Sequence, residues 1–250
     1  MLSSSRALKD IKSNMINKAR HQLIMGQILK DIYTDISVSS LLGFKGGTSA
    51  FFFYDLLRFS VDLDFDLLVP TEENKQVVFE KMKALIEKYG TIKDNYIKRN
   101  TIFFVISYGD RDHNIKIETS TRELPFPLKT EFEIREYLGI SMLVAKKEYL
   151  FAGKLVALAL RTDTAPRDVY DVYFFAKNHW GINHIVVEAW TGKKTKDHMA
   201  DCIAVIESIK DAQILNGLGD LLDEKQKIWA RKHLKSETIF AIKNYMSVMK

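Results

Sequence analysis

The chain has 250 residues, of which 46% are hydrophobic, 28% charged and 11% aromatic. That composition suits a globular protein of one large domain or two small ones and excludes collagenous and long disordered chains. No stretch of about 18 residues is free of charge, so no transmembrane helix is expected, and a single cysteine, Cys202, excludes an internal disulfide or a cysteine zinc site. The net charge of +5 is compatible with a nucleic acid or nucleotide partner, but many basic proteins bind neither.

Arg6, Lys9 and Asp10 fall where a signal peptide needs its apolar stretch, so a cytoplasmic location is expected. Residues 11–32 carry Ile11, Met15, Ile16, Ala19, Leu23, Ile24 and Ile28 at helical spacing. Leu41–Lys45 is a short apolar run ending at Gly46-Gly47. Thr48 and Ser49 can cap a helix that runs to about Leu57. Its Phe51-Phe52-Phe53-Tyr54 run reads most simply as core packing. Val61–Val69 alternates as a strand, with Val61, Leu63, Phe65 and Leu67 on one side and Asp62, Asp64 and Asp66 on the other.

Residues 72–89 read as an amphipathic helix. Runs 91–98, 101–108 and 114–120 read as strands, with a turn at Gly109–His113. Segments 131–137 and 140–145 read as further short strands. From about residue 147 the texture is helical: 148–161, 167–178, 183–190, 196–210 and 223–249. The expected organisation is an α/β domain over 1–147 with an N-terminal helix, and a helical domain over 148–250.

The acidic strand is the most informative stretch. Aspartate is depleted in strands, and same-face neighbours lie only about 7 Å apart, so three in alternation repel one another. A fold gains nothing from that, whereas a hard divalent cation needs oxygen ligands. The alternative is a solvated strand face. The Gly46-Gly47-Thr48-Ser49 turn adds a place where backbone can approach a ligand, ahead of a helix whose free N–H groups suit a phosphate. Alone it is a weak signal; fifteen residues before Asp62 it gains force.

With these residues the sequence resembles the AbiEii/AbiGii-type nucleotidyltransferases of the DNA polymerase β-like superfamily. The pattern is a hydrophobic run, Gly46-Gly47-Thr48-Ser49, then Arg58-x-Ser60-x-Asp62-x-Asp64-Phe65. It continues through Ile115–Ser120 and Lys154-x6-Arg161-x5-Arg167-Asp168-x2-Asp171. The last 70 residues carry no matching motif. The resemblance implies an α+β fold with a mixed sheet followed by helices. It implies a magnesium-dependent enzyme moving a nucleoside monophosphate from a nucleoside triphosphate to an acceptor hydroxyl. It further suggests RNA, such as a tRNA 3′ end, as acceptor, and a toxin with a cognate antitoxin partner in a toxin–antitoxin or phage-defence pair.

Two Mg²⁺ ions would be held by Asp62, Asp64 and Glu118, if the strand carrying Glu118 lies beside the acidic one. Gly46, Gly47, Thr48, Ser49, Arg58, Ser60, Lys154, Arg161 and Asp171 are the expected nucleotide-binding residues. Lys154 would contact the triphosphate, and Asp171 would complete the site or orient basic residues. Arg161 could bind phosphate or pair with Asp168, and Ser60 could simply hydrogen-bond to the turn. The competing reading of the Lys154–Asp171 group is a set of structural salt bridges. A protein or small-molecule acceptor, or a catalytically idle nucleotide- or RNA-binding protein, remains open at this point. The six histidines lack zinc spacing. Basic runs at Lys193, Lys194 and Lys196, and at Lys225, Lys227, Arg231, Lys232 and Lys235, read as solvated faces or as an RNA-backbone contact.

Overall fold

The computed structural model describes residues 17–109, 114–161 and 165–249. The beginning of the first expected helix and most of the Gly109–His113 turn lie outside these residues. In chain order the elements are α1 (Lys18–Thr34), β1 (Leu42–Lys45), α2 (Gly46–Phe53), β2 (Leu63–Leu67), α3 (Glu72–Ile86), β3 (Thr91–Lys98), β4 (Thr101–Ser107) and β5 (Asn114–Ser120). They continue with β6 (Phe132–Tyr137), β7 (Ile140–Ala145), α4 (Lys147–Leu160), α5 (Pro166–Lys177), α6 (His184–Thr191), α7 (Thr195–Ser208) and α8 (Glu224–Val248). The seven strands form one mixed sheet in the order β3-β4-β5-β2-β1-β7-β6. The fold is thus the expected α+β arrangement of a mixed sheet followed by helices.

The chain divides into two compact units that interleave in sequence. One is 1–44, 61–123 and 134–143; the other is 45–60, 124–133 and 144–250. The longest piece of the second unit begins at Val144.

In the first unit, Asn17 caps α1 by accepting from the Arg20 N–H at 3.1 Å. Met25, Ile28, Leu29 and Ile32 then form its fully buried stripe. Thr71 caps α3, with Glu72 and Glu73 in the first turn and Lys83 in the last, each complementing the helix dipole. Phe79 of α3 stacks on Phe104 of β4, with ring centroids 5.0 Å apart. That places α3 on the sheet face carrying Ile102, Phe104 and Ile106, all buried. β2 and β5 are parallel neighbours, whereas β3-β4 and β4-β5 are antiparallel.

In the second unit, α4 packs against α5, α6 and α7, and α8 packs along α5 and α7. α8 starts with a reciprocal capping box, Asp223 with the Gln226 N–H and Gln226 with the Asp223 N–H, both at 2.8 Å. Cys202 is fully buried and donates to the Leu155 carbonyl at 3.3 Å. Burial pushes its thiol up to about 12, so it packs as an inert small apolar group.

Five local expectations need correction. The helix after the glycines ends at Phe53, not Leu57, because Asp55 adopts a left-handed φ of 58°. Thr48 and Ser49 lie inside that helix; the N-cap is Lys45, without a side-chain bond. Phe51, Phe52 and Phe53 are half-buried rather than core; Gly47–Ala50 form the buried part of α2. The acidic strand begins at Leu63, so Asp62 precedes it; the Val61 carbonyl accepts from His21 Nε2 at 2.9 Å. The helix expected over 148–161 ends at Leu160, and Arg161 is its extended C-cap.

Candidate active site

The acids of the first unit are organised by strand register. Leu63, Phe65 and Leu67 are fully buried, which fixes the opposite orientation for Asp64. Ile115 and Ile117 do the same for Glu118 on β5. In the parallel ladder Asp64 stands directly across from Glu118, Leu63 from Ile117 and Asp66 from Ser120. Adjacent strands are about 4.8 Å apart, so the two carboxylates share one patch of one sheet face. Asp64 is half-buried, Glu118 exposed and Asp66 only 2% exposed. The condition set by the sequence, that Glu118 lie on a strand beside the acidic one, is met.

Asp62 is half-buried and is positioned from behind. His21 is fully buried; its Nε2 holds the Val61 carbonyl and its Nδ1 meets the Tyr108 hydroxyl. Arg20 Nη2 donates to the Tyr108 carbonyl at 3.2 Å. This brace was not visible in the sequence, because His21 and Val61 are 40 residues apart and carry no motif. Among the described residues no three His, Cys, Asp or Glu side chains are gathered into a ready-made metal cage. The Asp64–Glu118 pair is an oxygen-only donor set. It fits Mg²⁺, which usually takes one or two carboxylates and completes its shell with water and substrate phosphates.

The second unit holds a different arrangement. Arg58 is 2% exposed and grips the fully buried Asp171 with two parallel bonds, Nε to Oδ1 at 2.5 Å and Nη2 to Oδ2 at 2.7 Å. Its Nη1 donates to the Phe59 carbonyl at 3.0 Å. Lys154 Nζ lies between two aspartates, 2.7 Å from Asp168 Oδ1 and 2.8 Å from Asp171 Oδ2. Arg161 Nη1 stands 2.7 Å from Asp168 Oδ2, without the angle of a hydrogen bond. Asp168 is fully buried, whereas the Arg161 side chain is 42% exposed.

Burial alone would raise the Asp171 carboxyl, but Arg58 and Lys154 outweigh it and hold it below the ordinary range. Burial likewise opposes the charge on Lys154, yet Asp168 and Asp171 hold its ammonium above its usual value. For Asp171 and Lys154, then, the opposite charges across each ion pair outweigh the cost of burial.

The glycine turn belongs to this network. Gly46 has φ +80°, which favours glycine. A Cβ on Gly47 would collide with Arg58 Nη2 and lie 3.1 Å from Ser60 Oγ. Thr48 Oγ1 donates to Ser60 Oγ at 2.9 Å, and Ser49 Oγ to the Gly46 carbonyl at 3.0 Å. Thus Gly46, Gly47, Thr48, Ser49, Arg58, Ser60, Lys154, Arg161 and Asp171 fall in one unit; Asp62, Asp64 and Glu118 fall in the other. Among the basic runs, Lys193 pairs with Asp201 at 2.6 Å, Lys227 with Glu224 at 2.7 Å, and Lys235 donates to the Ile209 carbonyl at 2.5 Å.

A mixed seven-stranded sheet followed by helices is the fold this chain shares with solved nucleotidyltransferase structures. Residues 27–236 match the family described as nucleotidyl transferase AbiEii toxin, type IV toxin–antitoxin system, and the chain belongs to that family. Its fold is similar to a Helicobacter pylori structure assigned provisionally to nucleotidyltransferases, with 21% identity and a TM-score of 0.58 over 93% of this chain and 96% of that one. A second H. pylori structure, JHP933, has 21% identity and a TM-score of 0.57, covering 93% of each chain. MenT4, a nucleotidyltransferase toxin of Mycobacterium tuberculosis H37Rv, has 17% identity and a TM-score of 0.52, covering 93% of each chain. No curated protein matches the sequence. Family membership implies a nucleoside triphosphate substrate and an antitoxin partner. Among the described residues, no helix is long and apolar enough to cross a membrane.

Proposed function

We propose that this chain transfers a nucleoside monophosphate from a nucleoside triphosphate to a hydroxyl of RNA, such as a tRNA 3′ end, and that it acts in the cytoplasm. The observation that carries the reading is the pairing of Asp64 with Glu118 across β2 and β5.

Asp62, Asp64 and Glu118 would hold two Mg²⁺ ions, with Glu118 sharing the ion that would lower the pKa of the attacking hydroxyl. Bound there, the metal supplies a lowered pKa for the attacking hydroxyl and charge neutralisation for the departing pyrophosphate. The chain's own contribution is placement. Leu63, Phe65, Ile115 and Ile117 lock the acid-bearing strands from the buried side. His21 fixes the backbone just ahead of Asp62. In the helical unit, the Gly46–Ser49 backbone and the cations Lys154 and Arg161 bind phosphate oxygens. Arg58, Ser60 and Asp171 act as positioning residues for that turn. Positioning and charge stabilisation account for most of the rate in phosphoryl transfer.

The test is incubation with each labelled nucleoside triphosphate, Mg²⁺ and total RNA, comparing wild type with Asp64→Ala. Label entering RNA with wild type and lost with the variant is the expected result. Label on protein alone would replace the RNA acceptor with a protein one, and no label anywhere would leave a nucleotide-binding protein without transferase activity.

A further inference from the structure

The sheet face that bears Asp64 and Glu118 continues, strand by strand, into an aromatic pair. Register gives the row directly: Asp64 on β2 opposes Glu118 on β5, Glu118 opposes Phe103 on β4, and Phe103 opposes Tyr96 on β3. All four side chains therefore rise from the face opposite α3, at about 4.8 Å per strand. Phe103 and Tyr96 are both half-buried, and their rings are stacked with centroids 4.8 Å apart and planes 19° apart. With Tyr96 covering one face of Phe103, the other ring face is turned along the row toward Glu118.

Cations surround the pair. Lys98 Nζ lies 4.3 Å from the Tyr96 ring centroid. Lys116, two residues before Glu118 on β5, and Arg99, in the β3-β4 turn, are exposed. Asp94, also exposed, is the acid on the β3 side of this face. The turn itself is anchored, because the Thr121 N–H donates to the Asn100 carbonyl at 2.9 Å. Aromatic faces interleaved with Lys and Arg on a fixed sheet are what single-stranded nucleic acid uses, bases stacking on rings while phosphates meet cations.

We propose that Phe103, backed by Tyr96, is the stacking platform for the terminal base of a single-stranded RNA acceptor, with Lys98, Arg99 and Lys116 facing its phosphates. The proposal rests on the transferase reading above and names the acceptor side of that site. Direction along the row assigns the base to the acceptor rather than to the triphosphate. Glu118, the acid given to the hydroxyl-activating metal, is the carboxylate next to Phe103, and Asp64 is one strand further away. A base lies within one nucleotide of its own 3′-hydroxyl, so a base continuing the Phe103–Tyr96 stack keeps that hydroxyl beside Glu118.

The experiment measures anisotropy of a labelled RNA oligonucleotide on the full chain without triphosphate, with an intact or an abasic 3′-terminal residue. Wild type is expected to bind the intact end about tenfold more tightly, as loss of one base–aromatic stack implies. Phe103→Leu keeps apolar bulk in the sheet and is expected to abolish that preference without weakening binding of the abasic oligonucleotide. In turnover, the variant raises KM for RNA and leaves KM for the triphosphate unchanged, a split that mere loss of fold would not give. Equal binding of the two ends by wild type, or an undiminished preference in Phe103→Leu, overturns the platform. A rise confined to the KM for the triphosphate overturns the acceptor assignment. Failure of the transferase reading looks different: the binding preference persists while no label reaches RNA.

Discussion

The two charged regions solve opposite electrostatic problems. On the sheet, Asp64 and Glu118 are like charges set side by side on a face that water reaches. In the helical unit, Arg58, Lys154, Asp168 and Asp171 are opposite charges, buried or nearly so, and matched at 2.5–2.8 Å. Removing one member of a matched set leaves a bare buried charge, whereas removing one of two repelling acids relieves strain. The first region thus sets like charges side by side, and the second pairs opposite charges while Lys154 and Arg161 are proposed to meet phosphate as well.

Breaking the matched set has the largest expected effect. Asp171→Ala leaves Arg58 and Lys154 facing each other without their shared counter-ion, and should cost about 3–5 kcal/mol in denaturant unfolding. The same pairs give a pH signature. The Asp171 carboxyl is held below its ordinary value, so its stabilisation is complete above the unfolded carboxylate pKa of about 3.9 and is lost as pH falls through the lower folded value. The Lys154 ammonium is held above its ordinary value, so its stabilisation is complete below the unfolded lysine pKa of about 10.4 and fades as pH rises through the folded value. Thermal unfolding across pH should lose both ends of this plateau in Asp171→Ala.

Gly47→Ala comes next. The new methyl meets Arg58 Nη2, whose guanidinium is held by Asp171 and the Phe59 carbonyl, so it cannot step aside freely. A loss of about 1–3 kcal/mol is expected, typical of overpacking. A Gly47→Ala, Asp171→Ala double variant should lose less than the sum of the singles, because both disturb one guanidinium.

The smallest effect sharpens the contrast most. Asp64→Asn should change stability by no more than about 1 kcal/mol, since it removes one of two like charges set directly opposite in a sheet. Transfer activity should nonetheless collapse. A stability loss of several kcal/mol in Asp64→Asn would mean that the acid pair is structural and that the proposed metal role is wrong.

The sequence announced most of the fold because its elements are written in local periods. Val61–Val69 alternates, 72–89 repeats at helical spacing, and the helical texture from residue 147 is plain. Element ends were less legible, since they depend on single backbone events such as the left-handed Asp55 or the capture of the Val61 carbonyl by His21. Site residues were legible as types but not as partners. Arg58 and Asp171 are 113 residues apart, and no local rule says which of the neighbouring aspartates an arginine will take. The Phe103–Tyr96 pair was invisible for a related reason. Its meaning comes from the strand register beside Glu118, not from its own spacing.

The β3-β4 hairpin and its partner β5 consequently work like a reading frame. Every side chain that lines up with the acids does so through a count of residues around the Arg99-Asn100 turn and along each ladder. Gaining or losing one residue in that turn would invert β3, taking Tyr96 and Lys98 off the face that carries Asp64 and Glu118. Drift in this part of the chain is therefore expected to proceed by substitution, with turn length held constant while the residues themselves change.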